Sequence, residues 1–136
     1  MRRPIFVVLA LVVLLGAFVS CKAEADRPEV GTWTYHESSD GYVCDMTVTL
    51  KQDGSASATL KTIEVEEGVT TTTDAEMSGT YKATADSKGT ITYTSGSATI
   101  TSKGVTVIYP MTETQTSTYE LSGGYLIVDG DIYTKK

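Results

Sequence analysis

Two cysteines, one histidine and eight tyrosines are the residues of this 136-residue chain whose types invite chemistry. His36 sits one residue past Tyr35 and three past Trp33, so strand parity puts it opposite both rings, on a solvent face. A single histidine excludes a histidine zinc cluster, and a Ser-His-Asp triad would have to use this exposed ring. Asp129-Gly130-Asp131 has calcium-ligand residue types, but a tight turn needs the same residues and EF-hand spacing is absent. Glu64, Glu66 and Glu67 read as a solvated strand end rather than an acid/base pair. No Walker or Rossmann glycine pattern, G-x-S-x-G or H-E-x-x-H occurs. The expectation is therefore no catalytic residue, no metal, no cofactor and no enzyme. Tyr42, Tyr81, Tyr93 and Tyr109, with Trp33, Tyr35 and Met46, have two readings: they line a cavity for a small, partly apolar ligand, or they fill it.

The elements that must position these residues read as strands. Gly31 to His36 opens the series, followed by a turn over Glu37 to Gly41. From Tyr42 to Lys51 the alternation is clearest: Tyr42, Cys44, Met46, Val48 and Leu50 face one way, and Asp45, Thr47 and Thr49 face the other. That parity buries Cys44 as an inert thiol rather than a nucleophile. Gln52-Asp53-Gly54 is a hairpin turn. In the return strand, Ser55 to about Val65, the apolar parity moves from Ala56, Ala58 and Leu60 to Ile63 and Val65, which suggests a β-bulge near Lys61-Thr62. Glu66 to Asp74, with its run of four threonines, reads as a loop or poorly paired tip. Further strands are expected at Ala75–Ala85, Thr90–Ser95, Ala98–Thr101, Val105–Tyr109, Thr112–Leu121, Tyr125–Val128 and Ile132–Thr134. Turns separate them at 86–89, 95–97, 123–124 and 129–130, Lys103-Gly104 breaks another, and Pro110 marks a strand end. Eight to ten short strands with no βαβ alternation make an all-β, antiparallel up-and-down barrel or a sandwich.

The first twenty residues differ. Met1-Arg2-Arg3 precedes the apolar run Ile5–Val19, which as a helix spans about 22 Å, short of the roughly 30 Å hydrocarbon core. A basic start, a 15-residue apolar stretch and a small residue before the cut make a secretory signal peptide. Phe18-Val19-Ser20-Cys21 resembles a lipobox, with Phe18 in place of the usual leucine. By that resemblance Cys21 becomes the acylated first residue of a 116-residue mature chain, anchored in a membrane by its lipid. Residues 21–29 read as a polar tether and 30–136 as the domain. Removal of Arg2 and Arg3 leaves nine basic residues against 17 acidic ones, a formal charge of −8 that argues against nucleic-acid binding.

Gly31-Thr32-Trp33, Thr49-Leu50-Lys51-Gln52-Asp53-Gly54, Gly79-Thr80-Tyr81 and the closing stretch Thr118–Val128 with Tyr133-Thr134-Lys135 together resemble the lipocalin-like domains of small bacterial lipoproteins. The resemblance implies a barrel of about eight strands with Trp33 near its closed end. It implies no particular ligand. The Lys and acidic residues soon after Cys21 loosely resemble the surface-export signal of some Gram-negative lipoproteins, which implies the cell envelope, on the outer membrane or cell surface. Two functions follow as expectations: a small, partly apolar ligand bound inside the barrel, or an envelope protein or glycan bound on the Thr-rich outer face.

Overall fold

A computed structural model describes residues 27–136. The signal segment 1–20, Cys21 and most of the tether lie outside the described residues. The described residues form nine antiparallel strands: β1 Gly31–Ser39, β2 Tyr42–Leu50, β3 Ser55–Glu66, β4 Val69–Ala85, β5 Lys88–Ser102, β6 Val105–Pro110, β7 Gln115–Ser122, β8 Tyr125–Val128 and β9 Asp131–Lys135. Eight of them close an up-and-down barrel in the order β1-β2-β3-β4-β5-β7-β8-β9, with β9 returning to β1. The ninth, β6, pairs only with the far half of β5, while β7 pairs with the near half.

Period-two patterning explains why the sheet closes. Inward positions carry Trp33, Val48, Leu50, Ala56, Ala58, Tyr81, Ile91, Tyr93, Tyr119, Leu126, Val128 and Tyr133, which form one buried cluster. Outward positions carry mostly Thr, Ser and charged residues, so a one-residue slip would expose the whole cluster. The small residues Ala56 and Ala58 and the bare Gly89 face large ones. The Tyr119 ring lies across Gly89, its partner on β5, where a Cβ would sit 2.5 Å from ring carbons.

Four expectations about the elements change, the first at the turn expected over Glu37 to Gly41. Glu37, Ser38 and Ser39 continue β1 in register with Cys44, Val43 and Tyr42, which leaves Asp40-Gly41 as a two-residue turn. The strand β3 has no bulge: its register runs unbroken from Ala56 opposite Leu50 to Glu64 opposite Tyr42. Ile63 and Val65 stand on the outer face instead, because beyond Leu60 the inner face reaches the open end of the barrel, where Thr62 and Glu64 meet solvent. The irregularities are in the β4–β5 pairing: Ala83 opposes Gly89 and Ala85 opposes Lys88, which leaves Thr84 extra near the turn, and a second shift lies farther up. Ser78 opposes Ser95 but Gly79 opposes Tyr93, which leaves Thr94 as the extra residue of a bulge. That bulge takes the place of the turn expected at 95–97, and β5 runs on as one strand. A Cβ on Gly79 would come within 1.8 Å of the Thr92 carbonyl oxygen, so only glycine allows this approach. Finally, 66–74 is no loop. Glu67 and Gly68 form a two-residue turn, and Thr70 to Thr73 pair with β3.

Strand lengths set the shape of the wall. At 12, 17 and 15 residues, β3, β4 and β5 rise well past β8 and β9, which have four and five. On the short side the wall stops at the Asp129-Gly130 turn, where the Asp129 amide donates to the Thr118 carbonyl.

Candidate functional site

The closed half of the barrel holds the buried core cluster. Trp33, Tyr81, Tyr93, Tyr119 and Tyr133 are all buried. The Tyr81 hydroxyl donates to the Lys51 carbonyl at 2.6 Å, and its ring meets Tyr119 edge-on at 6.3 Å between centroids. The Lys135 ammonium lies 5.4 Å from the centre of the Trp33 ring. Burial pushes the Tyr93 phenol up to about 12, with the nearby Asp129 carboxylate adding to the shift. The Tyr133 phenol moves the same way, first by burial and then through Asp131. Trp33, Tyr81 and Tyr93 therefore belong to the buried core cluster.

The high side of the wall is different. Register across β1 to β6 lays out three inner rows that run over six strands. The lowest is Tyr35, Met46, Leu60, Ala75, Ala98 and Tyr109. The middle is Glu37, Cys44, Thr62, Thr73, Ile100 and Val107. The top is Ser39, Tyr42, Glu64, Thr71, Ser102 and Val105. Cys44 is buried, as the alternation of β2 requires, and Tyr35, Tyr42, Met46 and Ile100 are half-buried. Tyr109 and Val107 are exposed. The aromatic set proposed from sequence thus divides: three members are core, three stand on this open inner face, and Tyr109 stands at its β6 edge. Met77, Ile100, Val107 and Met111 belong with the second group and were missed. The signal for Ile100 and Val107 was present in their own alternation with Ala98, Val105 and Tyr109, but the Thr94 bulge hid which face it marked.

The open face has a polar border. The Tyr35 hydroxyl donates to Glu37 Oε1 at 2.9 Å, and that hydrogen bond to a carboxylate is the main reason its pKa is pushed up to about 12. Tyr42 is shifted up as well, chiefly by hydrogen bonding with the Cys44 side chain and then by burial. The Tyr133 hydroxyl donates to the Met46 sulfur at 3.2 Å, and its ring packs on Tyr35 at 5.4 Å between centroids. These contacts hold Tyr35 and Met46 at the floor of the face. Its chemistry is that of an aromatic and thioether surface bordered by hydroxyls and by the Glu37 and Glu64 carboxylates.

The outer face offers a surface groove of about 410 Å³ across β2 to β5, lined by Asp45, Thr47, Thr59, Lys61, Asp74, Glu76, Ser97 and Thr99. His36 is exposed at this level, with Nδ1 2.6 Å from Asp45 Oδ1. Among the described residues, no three or more His, Cys, Asp or Glu side chains are grouped to hold a metal ion. Comparison of the chain with protein-family models, with curated proteins and with solved structures gives no match.

Proposed function

We propose that this chain is an exported lipoprotein, acylated at Cys21, whose lipocalin-like barrel binds a flat, partly apolar ligand on its open inner face. The supporting observation is the contrast between the two halves of the interior. Trp33, Tyr81, Tyr93, Tyr119 and Tyr133 are buried together in one half, while Tyr35, Tyr42, Met46 and Ile100 stay partly open to solvent on the other. Rings and thioethers left wet on a concave wall gain from covering, at roughly 25 cal/mol per Å² of apolar surface removed from water. The border hydroxyls would orient a ligand bearing one or two polar groups.

Purification from the native envelope followed by native mass spectrometry tests the reading. A bound small molecule, lost in Tyr42→Ala and Met46→Ala but retained in Thr47→Ala on the outer face, is the expected result. Protein that carries no ligand, and whose melting temperature moves with no lipid or aromatic compound, overturns it.

A second reading rests on the outer groove, where the row Asp45, Lys61, Asp74 and Thr99 lies beside the row Thr47, Thr59, Glu76 and Ser97, a mix of charges and hydroxyls that suits a glycan or a hydroxyl-rich protein surface. Asp74→Asn with Glu76→Gln would abolish such binding and leave inner-face binding intact.

A further inference from the structure

Every strand of the closed barrel has a neighbour on each side, whereas among the described residues β6 pairs with β5 alone. The hairpin register decides which of its backbone groups remain free. Lys103 and Gly104, both with positive φ (54° and 78°), form a two-residue turn, which makes Ser102 and Val105 a hydrogen-bonded pair. The alternation that follows turns the backbone groups of Val105, Val107 and Tyr109 toward β5. Those of Thr106, Ile108 and Pro110 point away from it. Proline has no N–H, so the free edge offers two donors, Thr106 and Ile108, and three carbonyl acceptors. The side chains are equally uncovered: Val105 is 62 % exposed, Ile108 66 % and Tyr109 53 %. From Val105 to Thr112 there is no charged residue, in a chain whose formal charge is −6. An apolar, uncharged edge strand is a template for another strand.

We propose that this edge is an interface between two copies of the chain, formed by antiparallel pairing of β6 with β6 about a two-fold axis at Ile108. In that register the Ile108 N–H of each copy donates to the Ile108 carbonyl of the other. Each Thr106 N–H donates to a Pro110 carbonyl, so all four free donors are used and the missing proline N–H leaves only one acceptor in each copy, the Thr106 carbonyl, without a partner. Val107 faces Tyr109 on the inner side, which continues the open apolar face from one copy into the next. Charge favours the same register: it brings the turn that carries Lys103 in each copy toward the bend that carries Glu113 in the other, just beyond the paired residues. Pairing about Val107 would also satisfy the donors but would lose that charge match. An isologous contact of this kind closes on itself and yields a dimer rather than a filament. The neutral edge is where two acidic molecules can approach with least repulsion.

The test uses the full chain carrying Cys44→Ala, produced in cells and oxidised mildly. Hydrogen-bonded antiparallel partners lie about 5.5 Å apart between Cα atoms, within disulfide reach. Ile108→Cys is therefore expected to give a disulfide-linked dimer that Cys44→Ala alone does not give. Light scattering of the detergent-purified full chain should show a concentration-dependent dimer. Ile108→Lys, with circular dichroism unchanged, should weaken that dimer about tenfold or more by opposing two ammonium groups. A dimer indifferent to Ile108→Lys, or a chain monomeric at every concentration and without the crosslink, overturns the proposal. Crosslinking by Val107→Cys in place of Ile108→Cys overturns the Ile108 register.

Discussion

Cys44 lies in the middle inner row between Glu37 and Thr62 and is 6 % exposed, so reagents reach it only when β2 opens. Thiol labelling of the native chain should be far slower than in denaturant, and equal rates would mean that β2 is out of register. Cys44→Ala removes one small buried group and should cost about 1 kcal/mol, whereas Cys44→Asp buries a carboxylate without a partner and should cost several times more. Chemical denaturation of the two variants measures both. Glycine positions give a sharper contrast. At Gly79 an added Cβ would strike the backbone oxygen of Thr92, which cannot move without breaking the sheet. At Gly54 there is no atom within 4 Å, and the only objection to a side chain is the positive φ. Gly79→Ala should therefore cost about 3 kcal/mol or more and Gly54→Ala about 1. The tyrosines set the alkaline limit. Because the folded pKa of Tyr93 is raised to about 12, its contribution to stability is whole below about pH 10, the unfolded value. It is lost as pH climbs from there through 12. Tyr93→Phe should flatten the fall in melting temperature over that range.

The long strands show how far local pattern reaches and where it stops. Trp33, Leu50 and Leu126 sit inside because alternation marks a buried face wherever one face is dry. The same rule misreads Ile63 and Val65, since at the open end of β3 both faces are wet and parity carries no information about inside. The threonine run at 70–73 reads as loop by composition, yet it has β-branched residues and a two-residue turn before it. Thr71 donates to Ser102 across the sheet at 3.1 Å, and such pairs are a property of neighbours that one segment does not display. The Thr94 bulge is equally hidden, because it follows from the close approach of Gly79 to β5. As for the site, the aromatic residues were legible and their division was not, since that depends on which strands are long. Edge position is a topological fact of the same sort, and it has a backbone readout. In Ile108→Lys, held monomeric, the amides of Thr106 and of residue 108 should exchange with solvent quickly while those of Val107 and Tyr109 exchange slowly. Uniform exchange along β6 would contradict the hairpin register from which the free donors are derived.

At the scale of the molecule, the proposed function couples a lipid anchor to a barrel with one open side. The physical case for the anchor is independent of the barrel. Fifteen apolar residues after two arginines are too short to span, and a cysteine follows the small residue at the expected cut. A single acyl chain holds a protein at a membrane only marginally, whereas two or more hold it stably, so on the proposed reading acylation at Cys21 would decide where the domain resides. Anchoring also bears on association, because chains confined to a surface meet at a higher effective concentration than chains free in solution, and a small edge-strand interface gains most from that. Cys21→Ser should therefore remove lipid labelling and leave the chain either released from membranes or retained as the uncut precursor. The barrel fold should be unaltered, since its described strands begin at Gly31. Metabolic labelling with a fatty-acid analogue, combined with membrane fractionation, separates the outcomes. A lipid-labelled, membrane-bound product that is the same in wild type and Cys21→Ser would show that Cys21 is not the anchor, while leaving the reading of the open inner face to its own test.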